Sequence, residues 1–186
     1  MRIIAGTLKS RIIKPVPGKQ TRPTSDKVKE AIFHKLGPFF EGGLALDLFA
    51  GSGSLGIEAI SRGMDYVIFV ENGHQAVRII RDNTQKLNVE SKSDIIKSDA
   101  FRALSIFSKQ NKQFDLILLD PPYEKISYEK VLEAIQVNDL LAPNGLVYVE
   151  ASGNQSIVYE TTYYQQIYEK KYSNTTSVMI LKKQNQ

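Results

Sequence analysis

Cysteine is absent from the 186 residues, so disulfides and thiolate-bound metals are excluded and a reducing compartment is the natural home. Histidine is nearly as scarce. His34 and His74 are the only two, too few to expect a metal site, and no Ser/His/Asp or Cys/His set is present. No uncharged stretch approaches the ~18 residues of a membrane-spanning helix. The opening MRIIAGTLKS lacks the apolar run of a secretory signal. The expectation is a cytoplasmic protein with no membrane partner and no metal.

What is present is an ordinary globular composition, 42% hydrophobic and 24% charged, in a chain long enough for one full core. The net charge of +4 is unevenly placed. Residues 1–40 carry nine Lys or Arg against two acids, Asp26 and Glu30, a balance of +7, while the other 146 carry 15 against 18, a balance of −3. A basic front end on a mildly acidic body suits a polyanion. A solvated basic arm would show the same charges.

Residues 2–5 and 11–14 are β-like runs about a glycine-containing turn and predict a hairpin. Pro15, Pro17 and Gly18 then interrupt regular structure. Ser25 reads as the N-cap of a helix carrying Val28, Ala31, Ile32 and Leu36 at helical spacing, ended by Gly37-Pro38. Strands are expected at 44–49, 66–70, 94–97, 114–119 and 145–150, with helices at 55–62, 74–87, 101–107 and 128–135 between them. Apolar strands such as Leu116-Ile117-Leu118-Leu119, alternating with helices, imply an α/β fold with a parallel sheet and right-handed crossovers. Residues 163–172 and 177–182 form a hairpin signal about Ser173-Asn174. The domain reading is a basic extension over 1–40 packed on a domain over 41–186. Tyr163, Tyr164, Tyr168 and Tyr172 lie at strand spacing and read as sheet-packing residues before base-stacking ones.

Three places carry chemistry. Asp47-Leu-Phe-Ala-Gly51-Ser-Gly53 joins the first parallel strand to a helix, and its glycines let backbone approach a ligand beyond the strand's carboxyl end. Asp47 there suits a cationic group such as the ammonium of a methionine moiety. Gly51, Gly53 and Gly56, with Glu71 twenty residues on, also satisfy the dinucleotide fingerprint. A pyrophosphate, however, would meet an unhelpful negative charge at Asp47. Glu71 ends the second strand, where a carboxylate can accept ribose hydroxyls, and Asp99 follows the third, where one can accept an adenine amino group.

The most specific motif is Asp120-Pro121-Pro122-Tyr123, directly after an apolar strand. Two prolines stiffen the turn and leave carbonyls without competing N–H groups. Asp120 and the Pro121 carbonyl can then accept both hydrogens of a planar exocyclic amine and aim its lone pair at a sulfonium methyl. Tyr123 offers a ring on which an unstacked base can lie.

These motifs in this order resemble the class I amino-methyltransferases. The front end, Arg2-Ile-Ile-Ala-Gly6 with Arg22-Pro23-Thr24-Ser25-Asp26-Lys27-Val28-Lys29-Glu30-Ala31-Ile32-Phe33, resembles the bacterial 16S ribosomal RNA guanine-N2 methyltransferases. The resemblance implies a Rossmann-like, mostly parallel seven-stranded sheet closed by the C-terminal antiparallel hairpin. It also implies S-adenosyl-L-methionine as donor and 16S RNA or the small ribosomal subunit as partner; separately, the chain is expected to act as a monomer. On it, Asp47, Gly51 and Gly53 would contact the methionine part, Glu71 the ribose and Asp99 the adenine. Phe49, Ala50, Asn72, Ala100 and Asp120 complete the expected donor contacts, and residues 120–123 would hold the target guanine. Arg2, Lys9, Arg11, Lys14, Lys19, Arg22, Thr24 and Lys27 are the expected RNA contacts. Lys27 and Lys29 stand where the family more often has Arg, which would alter a bidentate phosphate contact there, and His34 where Asn is common. Two other enzyme readings remain, a DNA adenine-N6 methyltransferase and a nucleotide-dependent oxidoreductase. A non-catalytic RNA-binding module is the last.

Overall fold

The computed structural model describes residues 1–17, 26–122, 126–153 and 155–184. Its elements run α1 (Asp26–Leu36), β1 (Leu44–Asp47), α2 (Ser54–Ser61), β2 (Tyr66–Glu71), α3 (His74–Leu87), β3 (Ser93–Lys97), α4 (Ala100–Lys109), β4 (Phe114–Leu119), α5 (Tyr128–Val137), β5 (Leu141–Ala151), β6 (Tyr164–Ser173) and β7 (Thr176–Lys183). One seven-stranded sheet has the order β3-β2-β1-β4-β5-β7-β6. The first five strands in that order pair in parallel; β7 pairs antiparallel with both β5 and β6.

Alternate residues of each strand face opposite layers. Leu46, Ile68, Ile117, Val147 and Met179 pack with Ala103, Leu104 and Phe107 of α4 and with Val131, Leu132 and Ile135 of α5. Their neighbours Ala45, Phe69, Leu118, Tyr148 and Ile180 meet α1, α2 and α3 on the other side through Ile32, Phe33, Ile57, Ile60 and Ile80. Covered on both faces, the parallel strands read as apolar runs. Tyr164 is buried, with its Oη donating to the Leu132 carbonyl at 2.8 Å, while Tyr163, Tyr168 and Tyr172 pack at the edges of the two clusters.

Two expected boundaries shift for physical reasons. The front hairpin is reduced to a single antiparallel bridge, Arg2 with Ile12. Ile3 still exchanges bonds with Arg11 and Ser10, but the amides of Ile4, which faces away from that partner, and of Ala5 donate to the Glu58 carboxylate at 2.8 and 3.1 Å. Ile3 and Ile13 are nonetheless buried in the α1/α2 layer. β5 starts at Leu141 rather than 145, because Ala142, Pro143, Asn144 and Gly145 bulge between the Phe114–Leu141 and Leu116–Leu146 pairs, with Asn144 at φ 61°. Turn-type residues disguised that strand. The Ser25 cap lies outside the described residues.

Candidate active site

The sheet order decides what stands beside what. β1 lies between β2 and β4, and register pairs Asp47 with Phe69 and Leu118, and Glu71 with Lys97. The acids that end or follow these four parallel strands therefore line one edge in the order Asp99, Glu71, Asp47, Asp120. This is the carboxyl edge, where open α/β sheets hold their ligands.

Asp47 is almost wholly buried at the end of β1. Its Oδ2 accepts the Gly56 amide at 3.0 Å, so a strand carboxylate caps the first turn of α2. Burial pushes its pKa up to about 7, the Gly56 bond opposing and the nearby Glu71 charge adding. The turn between them passes through Gly51 at φ 55° and Gly53 at φ 80°, left-handed conformations that favour glycine. In a dinucleotide site the first-turn amides of this helix would face pyrophosphate. Here one of them is already held by an acid, which argues against the oxidoreductase reading. Gly56 lies against β2: a Cβ there would come within 2.3 Å of Phe69 Cε1.

Glu71 holds the same turn from the next strand. Its Oε2 accepts the Gly51 amide at 2.9 Å and its Oε1 the Gly73 amide at 2.7 Å. Each oxygen keeps a second lone pair for a hydroxyl. Asp99 caps α4, Oδ1 accepting from Phe101 and Arg102, and is exposed. Of the other expected donor contacts, Phe49 is half-buried, Ala50 and Ala100 are buried and Asn72 is exposed.

Asp120 leaves β4 half-buried, followed by a buried Pro121 and an exposed Pro122. Its charge adds to burial in raising the pKa of Tyr128 on α5, whose Oη donates to the Glu150 carbonyl at 2.9 Å. Tyr123 lies outside the described residues.

The expected RNA contacts separate. Arg2 pairs with Asp26 at 2.6 Å and Lys14 with Asp82 at 3.3 Å, both exposed. The Lys14 backbone reaches the glycine turn through Asn83, which accepts its amide at 2.8 Å and donates to its carbonyl and to the Ser52 carbonyl, both at 3.0 Å. Arg11 is exposed near the bridge. Lys9 is exposed but belongs to the turn held at Ser61, where the Thr7 amide donates to the Ser61 carbonyl at 2.8 Å. Ser61 ends α2, which runs back from the carboxyl edge, so Lys9 stands at the opposite end of the sheet. Lys19, Arg22, Thr24 and the Lys27 side chain lie outside the described residues. An open groove of about 600 Å³ runs along α3 past His74, Arg78, Arg81 and Lys97 rather than over the row of acids.

Sequence reasoning missed a buried ionic cluster. Lys29, taken as a stand-in for a phosphate-binding arginine, is turned inward instead, 3.3 Å from Glu58, which also pairs with Arg62 at 2.8 Å. A glutamate inside the otherwise apolar Leu55-Gly-Ile-Glu-Ala-Ile60 was the available signal, since a charge at the centre of a buried helix needs a partner.

A family model described as Conserved hypothetical protein 95 matches residues 1–181. The chain belongs to this family. Relatives of this Conserved hypothetical protein 95 chain include YlbH of Bacillus subtilis (strain 168), 43% identical over 150 residues covering 81% of this chain and 82% of the relative. Ribosomal RNA small subunit methyltransferase D of Haemophilus influenzae is 35% identical over 160 residues, covering 85% and 82%. The solved structure of yhhF from Escherichia coli superposes with a TM-score of 0.83 at 27% identity, covering 100% of this chain and 99% of that one. The chain is a methyltransferase with the Rossmann-like class I fold, as the resemblance implied.

Proposed function

We propose that this protein transfers a methyl group from S-adenosyl-L-methionine to the exocyclic N2 of a guanine in 16S RNA of the small ribosomal subunit. One observation carries the reading: the sheet order puts the glycine turn capped by Asp47 beside the Asp120-Pro121-Pro122 turn, on neighbouring parallel strands. The residues fit the donor. Asp47 is a buried acid whose proton a cation would displace, and the left-handed glycine turn brings backbone to the ligand without side chains. When bound, S-adenosyl-L-methionine supplies an electrophilic methyl on a sulfonium.

Asp47 would hold the ammonium and Glu71 the ribose hydroxyls. Asp120 Oδ and the Pro121 carbonyl would accept the two N2 hydrogens, leaving the nitrogen lone pair free to form the new N–C bond as the methyl–sulfur bond breaks and its electron pair stays on the departing S-adenosylhomocysteine. One of those hydrogens then leaves as a proton along the bond to Asp120, and no tuned base is needed. Rate comes from positioning and from a carboxylate placed where positive charge develops. Support for an RNA substrate comes from relatives named as small-subunit RNA methyltransferases and from the +7 balance of residues 1–40.

The direct test is incubation with methyl-labelled donor, duplex DNA as competitor, and small subunits or 16S RNA that lack the modification. Label recovered as N2-methylguanine is expected; label on duplex DNA adenine, on protein, or nowhere overturns the reading. Asp120→Ala is expected to lower turnover at least ~10²-fold while donor binding, followed by calorimetry, survives.

A further inference from the structure

Lys29 is 2% exposed, and its ammonium, carried on α1, meets two other segments of chain, the front end and α2. Nζ donates to the Arg2 carbonyl at 2.7 Å in the front end and to Ser54 Oγ at 3.3 Å, beside Gly53 of the glycine turn. It also lies 3.3 Å from Glu58 Oε2 on α2. Glu58 is fully buried and accepts three further hydrogen bonds on its two oxygens, from Arg62 Nε and from the Ile4 and Ala5 amides, which tie the front end to α2. Arg62 lies over the Phe33 ring with its guanidinium carbon 4.8 Å from the centroid, and its Nη1 donates to the Pro38 carbonyl. Burial lowers the Lys29 pKa, and the Glu58 charge opposes it.

Two cations on one carboxylate inside a core are a poor device for stability alone. Well-packed apolar side chains of the same volume avoid the desolvation cost and often do as well. What an ammonium supplies and an alkyl chain cannot is a set of directed bonds to acceptors on different segments. The segments joined at Lys29 are the two the proposed reaction must bring into play together. Ser54 opens the helix that follows the donor turn, Arg2 lies in the basic front end, and α1, which carries Lys29, follows the Arg22-Pro23-Thr24 stretch directly.

We infer that Lys29 is a positioning residue that couples the donor turn to the RNA-facing front end, so that donor and RNA each bind more tightly when the other is present. This deepens the proposed function and rests on it. The coupling is reciprocal by thermodynamic linkage, because whatever factor the donor adds to RNA affinity, RNA adds to donor affinity.

The test measures binding rather than turnover. The affinity of the full chain for a 16S RNA fragment is determined with and without S-adenosylhomocysteine, the non-reactive product. The wild type is expected to bind RNA at least ~5-fold more tightly with the product present. In Lys29→Met the factor falls to about one, and Lys29→Arg, which keeps a buried donor, restores most of it. Ser54→Ala removes only the bond to the residue that follows the turn, leaves the Lys29–Glu58 pair in place, and is expected to lose part of the factor. It also decides the matter if Lys29→Met does not fold. A folded Lys29→Met or Ser54→Ala that keeps the full wild-type factor overturns the coupling, as does a wild type that binds both ligands independently. A wild type that does not bind S-adenosylhomocysteine at all overturns the proposed function instead.

Discussion

Asp47 is a carboxylate shut away from water, and its ordinary value of 3.8 becomes about 7. Between those values the folded chain holds a proton that the unfolded chain has lost. Its contribution to stability is therefore full below about 3.8 and is lost as pH rises through about 7. The ligand-free protein should melt at a lower temperature at pH 8 than at pH 6 on this account, and Asp47→Asn should flatten that difference. A bound ammonium reverses the preference by favouring the charged acid. Binding of S-adenosylhomocysteine should then release about one proton below pH 7, its affinity climbing by up to ~10-fold per pH unit before levelling off. Titration calorimetry from pH 5.5 to 8 checks this. A flat profile for the wild type would remove Asp47 from the ammonium site, whereas a flat and weakened one for Asp47→Asn is the expected control. Glu71 differs in kind, because its two oxygens already hold the Gly51 and Gly73 amides and shape the turn before any ligand arrives.

At the scale of elements, α2 is the hub of the site. Its first turn is capped by Asp47, its middle bears Glu58, and its underside presses on β2 through Gly56. A methyl group at Gly56 would meet the Phe69 ring at 2.3 and 2.8 Å and Val67 Cγ1 at 2.9 Å, so α2 would have to lift. Gly56→Ala is expected to destabilise the fold by ~1–3 kcal/mol and to weaken donor binding along with it, read by urea denaturation and calorimetry on the same sample. Unchanged stability would mean that the helix can shift without cost. The glycine was visible in the sequence as the third member of a dinucleotide-like pattern, but its role is packing. The front end shows the converse. Its apolar alternation reads as a hairpin, and only the position of Glu58 reveals that the Ile4 and Ala5 amides tie it to a helix side chain.

Across the whole molecule, charge and topology together decide how a long polyanion could lie. Arg11 is exposed near the bridge, whereas Lys9 belongs to the turn tied to the far end of α2. RNA affinity should fall as salt is raised, and Arg11→Ala should reduce the slope of log affinity against log salt by about 0.7–0.9, one phosphate contact. Lys9→Ala should leave the slope unchanged. Equal effects at both positions would mean that RNA follows the front end along its whole length rather than approaching the carboxyl edge.

Much of the fold and of the site is legible in the sequence. Apolar strands broken by helical spacing specified an α/β sheet, and acids recurring at strand ends, with Asp120-Pro121-Pro122, marked one chemistry, because period and local turn chemistry are properties of short segments. What short segments could not express is adjacency. The order β3-β2-β1-β4 brings together Asp99, Glu71, Asp47 and Asp120 from residues 47 to 120. The same folding turned Lys29 inward to Glu58, although a lysine in a basic stretch reads as a surface charge. Local pattern states what a residue can bond to; only the packed chain decides which acceptor reaches it, since burial makes each unpaired charge costly and so selects its partner.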